Sequence, residues 1–222
     1  MTKIVVPIRP TNFDDGQDLL LSAQIVGADY IELWCDRLDL LDAKKLIALS
    51  ELPIIANLKD DSEQGEFTGN IFERLKCLQE MLEEGAALVD IPFNQDIVNT
   101  DLSRFEDKFI LSFHDFKETP TILDLEDLMV RMLKKNPKYL KIATHLNSDI
   151  DLLNMLKLQL STRELIGKGI LIGMGPRGKI LRILSKTFGH PFVFASIDAR
   201  HKTAPGQFTV EELKKEWKRW SN

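Results

Sequence analysis

The sequence alternates short apolar runs with longer stretches in which apolar residues recur at helical spacing, and this alternation limits the fold more than any other feature. Strands that alternate with helices form parallel sheets with helices on their faces. Candidate strands are residues 3–8, 30–34, 53–58, 87–91, 108–113, 139–143, 169–173 and 192–195. Candidate helices are residues 16–26, 42–49, 69–84, 123–135, 148–158, 177–188 and 209–220, with a weak candidate at 94–105.

Eight such strand and helix units predict a single (β/α)8 TIM barrel of the α/β class, formed by residues 1–222 as one domain. A chain of 222 residues is long enough for one barrel and too short for two. The main alternative is an open, doubly wound sheet. It is disfavoured because no GxGxxG fingerprint follows the first strand, where a dinucleotide-binding fold needs glycines beside the pyrophosphate.

Charge and cysteine content argue against several classes of function. The net charge of -5 disfavours nucleic-acid binding, because phosphate contacts depend on clustered Lys and Arg. No stretch approaches the ~18 apolar residues of a transmembrane helix, and the N-terminus lacks the features of a signal peptide. Cys35 and Cys77 have neither metal-binding nor redox spacing. The chain is therefore predicted to be cytoplasmic, with reduced thiols and no membrane association.

Strand periodicity places ionisable and polar side chains on one face of neighbouring strands. Side chains alternate across a strand, so Glu32 points away from Leu33 and Lys141 away from Ile142. The positions that share this parity near the carboxyl ends of five candidate strands are Glu32, Asn57, Lys59, Asp90, Ser112, His114 and Lys141. Active sites of (β/α)8 barrels lie at the carboxyl ends of the strands. We therefore expect these side chains to meet in one cavity.

Lys141 and His114 are the candidate catalytic pair. An apolar site lowers the pKa of a lysine, and the neutral amine can then attack a carbonyl and form a Schiff base. A histidine titrates near neutrality, so His114 could both remove and return a proton. The structural alternatives are a lysine that extends from a strand end into solvent and a histidine bonded to a backbone carbonyl. The placement of both residues at the ends of adjacent strands favours imine chemistry.

Three loops that follow strands carry further candidate residues. Residues 173–182, GMGPRGKILR, form a glycine-rich turn that opens a helix, where backbone N–H groups and Arg182 could hold a carboxylate or phosphate. Residues 203–207, TAPGQ, predict a turn whose Thr203 and Gln207 could bind hydroxyls, although the composition alone favours a structural loop. Residues 60–69, which include Glu63, fit either a mobile loop over a site or a solvated charge run.

Four segments together resemble one family. SFHDFKETP (112–120), YLKIAT (139–144), GMGPRGKILRIL (173–184) and TAPGQ occur in the order found in type I 3-dehydroquinate dehydratase, and the resemblance extends over nearly the whole chain. It implies a (β/α)8 barrel without a metal or organic cofactor. It also implies a lyase that removes water from 3-dehydroquinate to give 3-dehydroshikimate through a lysine Schiff base, the third step of the shikimate pathway.

The resemblance assigns roles by position. Lys141 matches the Schiff-base lysine, His114 the general acid/base and Glu63 the glutamate beside that histidine. The matching substrate-binding positions are Glu32, which contacts hydroxyls, Arg182, which grips the carboxylate, Thr203 and Gln207 of the closing loop, and Lys59 and Asp90. The implied partner is the small-molecule substrate, and relatives of this kind are often homodimers.

Two positions depart from the family pattern. Trp34 and Lys59 stand where the family usually has arginines, so the hydroxyl-binding side loses donors and the bidentate geometry of a guanidinium. Arg9 or Arg37 is a candidate replacement. Two alternative functions therefore stay open: another Schiff-base barrel enzyme, such as an aldolase of sugar phosphates, and a non-catalytic barrel that binds a carboxylate.

Overall fold

The strands of the computed structural model confirm the predicted (β/α)8 barrel. The structure describes residues 1–161, 165–204 and 206–220. In this part of the chain the strands are β1 Lys3–Ile8, β2 Tyr30–Trp34, β3 Ile54–Asn57, β4 Leu88–Pro92, β5 Phe109–Asp115, β6 Tyr139–His145, β7 Gly169–Met174 and β8 Phe192–Phe194. Hydrogen bonds join parallel neighbours from β1 to β7 and join β8 to β1, so the sheet curves into a nearly closed barrel.

Helices follow the strands around the outside of the barrel. Their bounds are α1 Phe13–Ile25, α2 Leu40–Leu49, α3 Ile71–Glu83, α4 Gln95–Val98, α5 Ile122–Leu133, α6 Asp149–Ser161, α7 Lys179–Leu184 and α8 Val210–Trp220. Several begin at a residue whose side chain accepts a backbone N–H bond, as Asn70 does in a capping box with Glu73. None of the helices in the described ranges is long and apolar enough to cross a membrane.

Two predicted helices are shorter than expected. The weak candidate at 94–105 contains only α4 and a 3-10 turn, Ser103–Phe105, because the Thr100 hydroxyl bonds back to the carbonyl of Asp96 and ends the first turn. The candidate at 177–188 contains a 3-10 turn, Pro176–Gly178, and the short α7. The Ser185 hydroxyl donates to the carbonyl of Arg182 at 2.8 Å, where α7 ends.

Alternation along the strands separates two apolar layers. Outward side chains such as Leu33, Leu111 and Ile142 pack against the helices. Inward side chains at lower levels of the barrel form a second cluster of Val5, Ile55, Leu88, Ile110, Ile170, Phe192 and Phe194. This cluster fills the barrel, so inward polar residues gather above it at the carboxyl ends of the strands. Because buried polar groups are costly unless they are paired, their partners define the site.

Candidate active site

Lys141 lies at the centre of a buried ionic network. It occupies the middle of β6 with only 3% of its surface exposed. Its Nζ donates to Glu32 Oε1 on β2 at 2.9 Å and to Asp90 Oδ2 on β4 at 3.0 Å. The second carboxylate oxygen of Asp90 accepts the hydroxyl of Ser112 on β5. Four strands therefore fix one amine, whose nitrogen also lies 4.5 Å from the centre of the Phe194 ring.

The charge state of Lys141 corrects the sequence-based expectation of a lowered pKa. Burial on its own would lower the pKa of this amine. Asp90 and Glu32 together raise the pKa by more than burial lowers it, so the net shift is upward. The surroundings are ionic rather than apolar, which reverses the expected direction. Lys141 is therefore an ammonium at neutral pH, and it must pass a proton on before it can act as a nucleophile.

Glu32 is an ionised carboxylate that both Lys141 and an indole hold in place. Burial would raise its pKa, but Lys141, Lys59 and a hydrogen bond from Trp34 lower the pKa to about 2. Trp34 Nε1 donates to Glu32 Oε2 at 2.8 Å, while Oε1 faces Lys141. Each oxygen of Glu32 thus has its own donor, and the carboxylate is fixed in orientation.

His114 lies beside a buried glutamate on the loop after β3. His114 Nδ1 is 3.2 Å from Glu63 Oε1, an ion-pair distance at an angle outside hydrogen-bond geometry. Glu63 belongs to a 3-10 turn, Asp61–Glu63, and only 5% of it is exposed. The interpretation of residues 60–69 as a solvated charge run is therefore wrong for Glu63. Its neighbours Asp61 and Ser62 are exposed, as a charge run requires.

The pKa values of both members of this pair are lowered, and this prepares the pair for proton transfer. Burial would raise the pKa of Glu63, but His114, Lys59 and Arg74 lower it well below its usual range. Burial lowers the pKa of His114. The charges of Lys59 and Lys141 lower this pKa further, and Glu63 offsets part of the shift. At neutral pH the pair is thus a neutral imidazole next to a carboxylate. Such an imidazole can take up a proton, and the carboxylate then stabilises the imidazolium.

Arg74 is a residue that the sequence reasoning missed. It lies on α3 with 2% of its surface exposed, and its Nη2 bonds Glu63 Oε2 at 2.5 Å while Nη1 bonds Asp60 at 3.3 Å. A signal was present, because Arg74 shares the buried stripe of α3 with Leu75, Leu78 and Met81 at helical spacing. An arginine in an apolar stripe needs an anionic partner inside the fold.

Arg182 provides a buried cation near the amine. Its Nη1 donates to the carbonyl of Gly173 at 2.5 Å, and burial lowers its pKa to about 10, so it remains charged at neutral pH. In the described ranges no carboxylate lies within salt-bridge distance of Arg182, and its Nε has no partner. A Cβ at Gly178 would overlap the backbone of Gly173, so glycine permits the close turn that brings Arg182 inward. A buried cation without a carboxylate suits an anionic ligand.

Thr203 and Gln207 form a pair over the carboxyl end of the barrel. Gln207 Oε1 accepts the backbone N–H of Thr203 at 2.9 Å, and Gln207 is buried. Gly206 has a φ of 78°, and a Cβ there would overlap the carbonyl of Gly175. The loop therefore rests on the turn after β7, next to Arg182. The predicted turn also included Pro205, which lies outside the described residues.

One cavity collects most of the predicted site residues. Its lining includes Glu32, Lys59, His114, Lys141, Arg182, Thr203 and Gln207. Glu63 and Asp90 lie behind this lining and contact it through His114 and Lys141. The sequence reasoning missed the apolar wall, which consists of Phe116, Ala143, Ile172, Met174 and Phe194, as well as Gln64. These positions carry no ionisable group, so only the register of the strands reveals them.

The candidate replacement arginines are occupied elsewhere. Arg9 donates to Asp36 at 2.6 Å and to Glu66 at 3.2 Å, and it lines a neighbouring cavity instead of this one. Arg37 pairs with the same Glu66 at 2.6 Å. Lys59 is buried and its Nζ lies 3.6 Å from Glu63. Of the three cations, Lys59 is the one that reaches the cavity. Across the described ranges no group of three or more His, Cys, Asp or Glu side chains is arranged to hold a metal.

Comparison with known proteins points to one family. Residues 4–218 match the family described as type I 3-dehydroquinase. The chain is 34% identical to the 3-dehydroquinate dehydratase of Methanocaldococcus jannaschii over 197 residues, which are 86% of this chain and 87% of that protein. It is 32% identical to the 3-dehydroquinate dehydratase of Methanococcus maripaludis over 217 residues, 95% of this chain and 96% of that protein. The crystal structure of 3-dehydroquinate dehydratase from Geobacillus kaustophilus has the same fold, with a TM-score of 0.87 at 20% identity over 100% of this chain and 91% of that one.

Proposed function

Because the chain belongs to the type I 3-dehydroquinase family, we propose that it is the lyase that removes water from 3-dehydroquinate and forms 3-dehydroshikimate in the shikimate pathway. The observation that carries the proposal is the meeting of Lys141, His114 and Arg182 in one cavity. An amine, a proton carrier and a cation without a carboxylate are the groups that a hydroxylated keto acid requires for imine chemistry.

Lys141 is the proposed nucleophile. Its ammonium first passes a proton to the neutral imidazole of His114, and the free amine adds to the C3 ketone of the substrate. His114 returns the proton to the hydroxyl of the carbinolamine, which leaves as water and gives an iminium. Glu32 and Asp90, at 2.9 and 3.0 Å from Nζ, stabilise a positive charge at this nitrogen. The iminium carries that charge in the same place, so the carboxylates that raise the pKa of the amine also favour the covalent intermediate. The cationic nitrogen then accepts the electrons that the C2–H bond releases.

His114 is the proposed general acid and base. Its lowered pKa leaves the ring neutral at pH 7, and Glu63 faces Nδ1, so Nε2 is the nitrogen available to the substrate. After the carbinolamine has lost water, the neutral ring removes the C2 proton. The imidazolium then gives this proton to the C1 hydroxyl, which leaves as water. Glu63 stabilises the imidazolium that forms. Hydrolysis of the product iminium releases Lys141.

The remaining residues bind the substrate. Arg182 is the proposed partner of the carboxylate, because it is buried and cationic and has no carboxylate partner among the described residues. Glu32, Lys59, Thr203 and Gln207 face the same cavity and offer charged or hydrogen-bonding groups to the hydroxyls. Asp90 acts through Lys141 instead of contacting the substrate.

A borohydride trap tests the covalent mechanism. Reduction of the protein in the presence of 3-dehydroquinate is expected to add one ligand-sized mass, located by peptide mapping at Lys141. Lys59→Met is the matched control, since it removes the other lysine of the cavity and is expected to retain the adduct. Lys141→Ala is expected to lose both the adduct and turnover.

The outcomes separate the three functions left open by the sequence. Turnover is followed by the rise in ultraviolet absorbance of the conjugated enone product. An adduct without this rise, together with cleavage of a sugar phosphate, would favour an aldolase. Binding of the keto acid with neither adduct nor turnover would favour a non-catalytic barrel. Turnover retained in Lys141→Ala would eliminate the imine.

Assembly, domain organisation and location stay predictions. We expect residues 1–222 to unfold in a single cooperative transition, as one domain does. We expect a homodimer, which light scattering coupled to gel filtration measures directly. A cytoplasmic location follows from the biosynthetic role proposed here, and fractionation of cells that express the protein tests it.

A further inference from the structure

Trp34 separates the site cavity from a second cavity. The second cavity is lined by Arg9, His201 and Lys202, among others, and shares Trp34, Gln64 and Thr203 with the site cavity. Only 8% of the surface of Trp34 is exposed, so most of the indole is enclosed by the residues around it. The boundary between the two spaces therefore consists of Trp34, Gln64 and Thr203, and Trp34 has the largest side chain of the three.

Polar contacts fix the position of the indole. Its Nε1 donates to Glu32 Oε2 at 2.8 Å. Lys59 Nζ lies 4.8 Å from the ring centre and the guanidinium carbon of Arg9 lies 5.3 Å from it, both within the range of cation–π attraction. Arg9 is held in turn by Asp36 at 2.6 Å. The side chain of Trp34 has two rotatable bonds. Glu32 holds the N–H edge of the indole and two cations lie within reach of its π system, so this boundary between the cavities is rigid.

The same contact orients Glu32. Its Oε1 faces Lys141 at 2.9 Å, and among the described residues the donor to Oε2 is Trp34. Without that donor the carboxylate keeps one strong bond and can rotate about it. A buried carboxylate that loses a donor is also less favourable in its charged form.

From these contacts we propose that Trp34 determines the size of the substrate that the cavity accepts beside Glu32, and that its N–H positions Glu32 for substrate binding. This inference rests on the proposed function, because it assumes that the hydroxyls of 3-dehydroquinate lie on the Glu32 side. The indole excludes ring substituents from the second cavity. Its removal joins the two cavities and makes room for such a substituent.

Two variants separate the roles of the ring and of the N–H group. Trp34→Ala removes the wall, and Trp34→Leu repeats the comparison with a smaller loss of volume if the alanine variant does not fold. Trp34→Phe keeps most of the ring and removes the donor. Met174→Ala is the matched control, because Met174 lines the site cavity but not the second one.

The probes are 3-dehydroquinate and two of its ethers, which carry a propyl group on the C4 or the C5 hydroxyl. For Trp34→Ala we expect the ratio of kcat/KM for one ether to that for 3-dehydroquinate to rise at least about tenfold over the wild type, the lower end of what a change in pocket size gives. Met174→Ala is expected to leave this ratio unchanged. For Trp34→Phe we expect continued rejection of both ethers and a KM for 3-dehydroquinate raised about tenfold with kcat nearly unchanged.

A ratio measured on one variant does not depend on how much of that variant is folded. An unchanged ratio in Trp34→Ala and Trp34→Leu, or an equal rise in Met174→Ala, would overturn the size role, and an unchanged KM in Trp34→Phe would overturn the positioning role. In both cases wild-type turnover of 3-dehydroquinate would leave the proposed function intact. If the wild type neither turns over 3-dehydroquinate nor binds it in calorimetry, both proposals fail together.

Discussion

Replacing Glu63 with glutamine tests whether this residue controls the protonation of His114. The substitution keeps the size of the side chain and removes its charge. In the structure Glu63 Oε1 lies 3.2 Å from His114 Nδ1, and at an effective dielectric constant of about 20 a full charge pair at this distance attracts by about 5 kcal/mol. Arg74 and Lys59 contact the same carboxylate and offset much of this attraction. The net effect of the substitution on the pKa of His114 is therefore expected to be well below this Coulomb attraction.

The direction of the change follows from the sign of the charge. The Glu63 carboxylate raises the pKa of His114, so Glu63→Gln lowers that pKa further. Activity is lost at low pH when the base becomes protonated, so the acid limb of kcat/KM moves to lower pH. At neutral pH kcat falls by about 100-fold, because the imidazolium formed during proton transfer loses its counter-ion.

Steady-state rates from about pH 5 to 9 give both quantities. Asp60→Asn is the control, because Asp60 bonds the same Arg74 at 3.3 Å but is not in contact with His114 in the described structure. It is expected to leave the acid limb in place. An acid limb that stays fixed or moves to higher pH in Glu63→Gln would refute the coupling. A limb that moves equally in both variants would assign the effect to Arg74 alone.

Three further predictions concern other charges of the site. His114→Ala is expected to slow turnover about 1000-fold while the borohydride adduct still forms, and loss of the adduct would contradict the separate roles of the two residues. Arg182→Met is expected to raise KM about 100-fold without lowering the free energy of unfolding in urea. The reason is that it removes a buried cation that has no carboxylate partner in the described ranges. A drop of several kcal/mol in the free energy of unfolding would count against this. Glu32, whose pKa falls from 4.5 to about 2, is expected to contribute about 3 kcal/mol of stability above pH 4.5, which is lost as the pH falls towards 2. The stability difference between wild type and Glu32→Gln should therefore shrink in acid, and a constant difference would show that ionisation of Glu32 is not the cause.

Local patterns were enough to predict the strands and the parity of the site. Apolar side chains alternate with polar ones in β2 and β6, so Glu32 and Lys141 were assigned inward from the sequence, and the structure has them there. Helix lengths were less well predicted. In α7 the bond from the Ser185 hydroxyl to the carbonyl of Arg182 stops the helix earlier than its apolar period suggests.

Contacts between distant residues were beyond such patterns. Lys141 and Glu32 are 109 residues apart and Lys141 and Asp90 are 51 apart, and their pairing depends on the register of strands across the barrel. The sequence therefore predicted that Lys141 lies in an apolar site and has a lowered pKa, whereas the carboxylates in the structure raise its pKa. The apolar stripe of α3 marks Arg74 as buried, but its partner Glu63 lies on a loop whose path only the folded chain defines.

The sequence by itself determined the order of strands and helices and the face of the barrel on which each polar group lies, since both follow from periodicity along the chain. The tertiary structure decided which charges touch, how the pKa of each group shifts, and where Trp34 divides one cavity from the next. These properties depend on distances of a few ångströms between separate strands. Such distances arise only when the barrel closes and excludes water from the groups inside it.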